Sequence, residues 1–103
     1  MISEAEFLKI DALKKRAYAL FWRANRELDR RRQPDILNLL TKDSLKVHRM
    51  MDEVMVVAHE LSKVLPPGLV RNNHEIPADV MASFEKQVDA AERQLNKMNV
   101  PSE

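Results

Sequence analysis

Two histidines and an aspartate in the middle of this chain, His48, Asp52 and His59, have the side-chain types that bind metal ions. On a helix their spacings of four and seven put all three on one flank, with His48 and Asp52 able to share an ion and His59 roughly 10 Å further along. Two ligands do not make a site, since a closed zinc site takes four and an open one three. No metal and no cofactor are therefore expected. His74 lies among turn-forming residues and adds nothing decisive. The chain has no cysteine, which removes disulfides, thiolate ligands and thiol nucleophiles together. No grouping of serine, histidine and acid can be singled out, so a non-enzymatic protein is expected.

Charge is more informative. Residues 9–32 hold nine Lys or Arg against three Asp or Glu, whereas residues 33–103 hold eight against eleven, a segregation that the overall net charge of +1 conceals. Placed at about 100° per residue, Lys9, Lys15, Arg16, Arg23, Arg26 and Arg30 occupy one arc of the first helix, opposite its apolar residues. Trp22 borders that arc. A ridge of Lys15, Arg16, Trp22, Arg23, Arg26 and Arg30 has two uses: orienting an acidic protein surface, or tracking phosphates while the indole stacks on a base. Asp11, Glu27 and Asp29 interrupt the ridge and favour the protein partner over nucleic acid. Charge runs of this kind are most often simply solvated, with intrahelical pairs such as Arg23 with Glu27.

Ala58-His59-Glu60-Leu61 resembles the phosphoacceptor stretch of sensor histidine kinases over four residues. The resemblance implies His59 as the acceptor of a histidine phosphotransfer protein, a remote alternative. The family continues with a proline soon after the histidine on a helix that carries on, whereas here Pro66-Pro67-Gly68 ends the helix.

The elements that carry these residues follow from apolar periodicity. Ile36, Leu40, Val47, Met50, Val54, Val57, Leu61 and Val64 step in threes and fours, the seam of a long helix. The step recurs at Met81, Phe84, Val88, Ala91, Leu95 and Met98, and more loosely at Phe7, Ile10, Ala17, Phe21, Ala24 and Leu28. Three helices are predicted, over about 4–31, 34–65 and 77–98, with a loop over 66–76. Ser3 and Glu6 have the spacing of a capping box, and Gln33-Pro34-Asp35 breaks the first helix from the second. Thr41 to Ser44 is a second possible break, but Ile36 to Leu40 stay in phase with Val47 to Leu61, which favours one continuous helix.

The apolar face predicted for the second helix covers about half its circumference, more than one neighbour needs. An all-α fold results: an elongated three-helix bundle, or a long hairpin with a third helix, forming one domain over 1–103 and assembling as a homodimer. Met50, Met51, Val54 and Met55 are the expected apolar surface for a partner or second copy, because methionine repacks around different shapes, although such stripes are usually core. There is no apolar run of about 20 residues and no signal-peptide start, so a cytoplasmic protein without a membrane span is expected. The function expected is that of a regulator, inhibitor, assembly factor or chaperone that docks a protein partner through a helical surface.

Overall fold

The computed structural model describes residues 4–32, 42–64 and 76–102. Three helices account for most of them: α1 at Glu4–Arg32, α2 at Lys42–Val64 and α3 at Ala78–Lys97. No strand occurs among the described residues. The all-α class expected from periodicity is what the chain adopts. The expected stretch of the second helix over 34–41, the capping serine, the break at Thr41 and most of the connecting loop lie outside the described residues.

Why α1 runs unbroken for 29 residues follows from its composition: it has no proline or glycine, and it is rich in Ala, Leu, Lys, Arg and Glu. Its first turn carries Glu4 and Glu6, which complement the positive end of the helix dipole. Pro77 stands just before α3 at the N-cap, with φ −55° and ψ 143°, where a missing N–H costs nothing. Its carbonyl accepts the first bond, from the N–H of Met81 at 3.0 Å.

The other end of α3 closes in a Schellman turn. Asn99 takes a left-handed φ of 57°, a conformation asparagine tolerates better than most residues. The N–H of Val100 then reaches back to the carbonyl of Leu95, and that of Asn99 to Asn96, each at 3.0 Å. Val100 and Leu95 are both buried, the apolar contact that goes with this motif. Pro101 prevents the helix from resuming.

Ion pairs and pairing distances set the arrangement. Lys9 meets Glu85, Arg16 meets Asp89, and Arg23 meets Asn96, so residue numbers rise together and α1 runs parallel to α3. Lys46, near the start of α2, lines a groove with Arg93, Lys97 and Met98 at the end of α3, so α2 runs against both. The result is an up-down-up bundle in which α1 packs most extensively on α2.

One core joins all three helices. Ala17, Ala24 and Ala58 are almost wholly buried and let α1 approach α2 closely, while Val47, Val54, Val57 and Leu61 fill the space from α2. Met81, Val88, Ala91 and Leu95 supply the face of α3. The α1 seam differs from its expected form. Leu13 and Leu20 are buried, whereas Phe7 and Phe21 are only partly so. Because α1 touches two neighbours, its buried arc widens toward the α3 side and brings both leucines inward.

Candidate interaction surface

The basic ridge of α1 divides lengthwise. Lys9 pairs with Glu85 at 3.2 Å, and Arg16 with Asp89 at 2.7 Å and Glu92 at 3.8 Å, so both are spent on α3. Half-exposed pairs like these contribute about 0–1 kcal/mol each, enough to favour a register rather than to hold the fold. Arg23 departs furthest from the expected solvent-facing position, being only 8% exposed. Its guanidinium donates to Asn96 Oδ1 at 2.8 Å, to the Pro101 carbonyl at 3.2 Å and to the Val100 carbonyl. It ties α1 to the turn that ends α3. The physical reason is angular: Arg23 lies at the margin of the apolar arc, on the side where α3 and its C-terminal turn pack.

Lys15, Trp22, Arg26 and Arg30 remain on the outer side. Lys15 pairs with Asp11 one turn earlier at 2.9 Å. Arg26 donates to the Ser102 carbonyl at 2.8 Å. Arg30 grips the carboxylate of Glu27 with two N–H groups, one of them at 3.0 Å to Oε2. Glu27 is only 3% exposed, and its hydrogen bonding, then its charge, holds the Arg30 guanidinium above its usual pKa. The Arg23 with Glu27 pairing expected from spacing gives way to this one.

Trp22 is 54% exposed and is steadied by its neighbour: the Phe21 ring, packed on the core, meets the indole edge-on at a centroid distance of 5.3 Å. Leu8, two turns from the N-terminus of the same face, is 58% exposed. Between and around them lie Ala5, Ala12, Lys15, Ala19 and Arg26, all exposed. Together these seven residues step in alternating threes and fours from 5 to 26, a second heptad seam on the side of α1 that α2 and α3 leave free. Alanines and a lysine masked it in the sequence, where only the stronger apolar seam stands out.

The apolar surface expected on α2 separates differently. Met50 and Val54 are buried in the core, while Met51 and Met55 are half-buried and packed against it. The structure thus draws two of the four inward and leaves the other two at the margin. A polar link missed in the sequence joins the helices here: Ser62 donates to the Ala58 carbonyl at 2.7 Å, so Tyr18 donates its phenolic proton to Ser62 Oγ at 3.3 Å.

His48, Asp52 and His59 all stand exposed on the outer flank of α2. Among the described residues no three histidines or carboxylates converge as a metal site would require. A groove of about 580 Å³ opens between the starts of α1 and α3, lined by Glu6, Lys9, Ile10, Ile76 and Met81. Among the described residues no helix is long and apolar enough to cross a membrane. No protein family, no curated protein and no solved structure matches this chain. The fold defines it as a small all-α helical bundle.

Proposed function

We propose that this protein is a non-enzymatic helical interaction module, which docks a protein partner along the outer face of α1. One observation carries the reading: an unpartnered heptad seam, with Leu8 and Trp22 more than half exposed, lies on α1, whose other side is already committed to the core. Large apolar groups left in water on a regular seam are the feature that a partner helix covers. Leu8 and Trp22 supply buried area, and Trp22 is the type of residue on which binding energy concentrates. Lys15 and Arg26 within the seam and Arg30 beyond it favour a partner carrying carboxylates, chiefly through the rate of encounter. A regulator, an inhibitor or an assembly factor works in this way, in the reducing cytoplasm that suits a chain without cysteine.

Nucleic acid is the alternative reading. It is weakened by the withdrawal of Arg16 and Arg23 into contacts with α3, which breaks the continuous cationic track a phosphate backbone follows. Affinity capture from the source cell distinguishes the two, with nucleic acid retained in the eluate. The wild type is compared with Trp22→Ala and with Lys15→Glu/Arg26→Glu, each first shown to keep its helical spectrum. Proteins captured by the wild type and lost by both variants are expected. Equal capture by all three contradicts the reading, and recovery of nucleic acid that falls steeply with salt favours the alternative.

A further inference from the structure

From Ala5 to Trp22 the seam on α1 alternates small and large residues, Ala5, Leu8, Ala12, Lys15, Ala19 and Trp22, all exposed, before Arg26 ends the alternation. We infer that its occupant is a second copy of this chain, whose α1 lies antiparallel on the first. The inference rests on the reading of this face as a docking surface, and names what docks there.

Reversing the direction of one helix maps a three-four spacing onto itself only if the two positions of the heptad exchange. Small positions then meet large ones. In one register Ala5 faces Trp22 of the other copy, Leu8 faces Ala19, and Ala12 faces Lys15, so Leu8, Lys15 and Trp22 each enter the space over an alanine. Shifting by a heptad weakens this match, since one shift sets Leu8 against Arg26 and the other shortens the overlap to the stretch from Ala5 to Lys15. A parallel pair is worse. It stacks Lys15 on Lys15 and Trp22 on Trp22, leaves alanine against alanine, and aligns the helix dipoles.

Between the two directions, charge also favours the reversed one. On this face Glu4 stands at the start of α1 and Arg26 toward its end. Such a helix complements itself only when reversed. In the matched register Arg26 falls within one turn of Glu4 on the other copy, and Lys15 arrives beside the other copy's Asp11, which it already contacts within its own chain at 2.9 Å. The bundle itself need not rearrange, because α2 and α3 occupy the opposite side of α1.

The paired stretch, from Ala5 to Trp22, spans about 27 Å of helix at 1.5 Å per residue. One helix on one helix covers less than the roughly 1,600 Å² of a standard interface, so association should be in the micromolar range. Sedimentation velocity of the full chain should show 12.0 kDa at low concentration and its double as concentration rises. Ala12→Arg, which sets an arginine against Lys15 at an exposed position, should weaken this at least tenfold with the helical spectrum unchanged.

Register is tested by thiol cross-linking, which the absence of native cysteine makes clean. Leu8→Cys/Ala19→Cys places facing thiols in one layer, and a short bifunctional maleimide should give covalent dimer rapidly. Leu8→Cys alone leaves its two thiols roughly 16 Å apart along the helices and should react far more slowly. A chain that stays monomeric at every concentration overturns the second copy as occupant, and equal cross-linking of the two variants overturns the antiparallel register. Loss of captured proteins in Trp22→Ala would then still support the docking face, so the two ideas fail separately.

Discussion

Arg23→Gln is the substitution whose outcome depends most on the structure. Residues of this type on a basic helix face usually change stability within about 0.5 kcal/mol. Arg23 is instead buried and makes three hydrogen bonds, to Asn96 Oδ1 and to the carbonyls of Val100 and Pro101. Hydrogen bonds from a charged donor are worth about 1.5–3 kcal/mol each, and glutamine can keep one of the three. Against the loss of two stands relief from burying a guanidinium whose acceptors are all neutral, which costs several kcal/mol. The net destabilisation expected is about 2 kcal/mol, or roughly 8–16 °C in Tm for a domain of this size. Urea and thermal unfolding followed by circular dichroism measure it directly. Arg26→Gln is the control, since Arg26 is exposed and, among the described residues, donates to the Ser102 carbonyl alone. A double-mutant cycle with Asn96→Ala should return a coupling of about 0.5–3 kcal/mol. If Arg23→Gln destabilises no more than Arg26→Gln, the clasp between α1 and the end of α3 is not what holds that turn.

Val54→Asp should unfold the protein, because Val54 is 1% exposed in the core and an unpaired buried carboxylate costs several kcal/mol, comparable to the whole stability of a small domain; a cooperative melt near the wild-type temperature would contradict this. Asn99→Gly should be neutral or stabilising and Asn99→Val destabilising by about 1–2 kcal/mol, since only a residue at ease with a left-handed φ completes the turn after α3; equal melting temperatures would refute the role given to that turn. Arg16→Gln should cost at most about 1 kcal/mol at low salt and less in high salt, as half-exposed pairs with Asp89 and Glu92 are screened. A salt-independent loss would mean that Arg16 packs rather than pairs.

Periodicity made the helices legible because Val47, Val54, Leu61, Val88 and Leu95 are large, apolar and in phase, and each is buried. The same residues could not say which side of α1 would meet α3. That is why Leu13 and Leu20 entered the core in place of Phe7 and Phe21, and why Arg23 turned inward. Its fate was decided by the carbonyls of Val100 and Pro101, which lie more than 70 residues away and become acceptors only once the Asn99 turn has formed. Trp22 was visible as a candidate from its type. The seam that gives it meaning was not, because Ala5, Ala12 and Ala19 carry almost no hydrophobic signal and gain significance only when the structure shows them exposed in line with Leu8 and Trp22.

Trp22 is the one tryptophan of the chain and closes the proposed contact at each end, over Ala5 of the other copy, so its fluorescence tests the central claim most directly. Emission and acrylamide quenching should be followed from roughly 1 to 500 µM, the range that a small interface requires. Burial against Ala5 of a second copy predicts a blue shift and falling quenching as concentration rises, both abolished in Ala12→Arg. An emission that stays red and fully quenchable throughout, and identical in the variant, would show that the outer face of α1 does not receive a second copy of the chain.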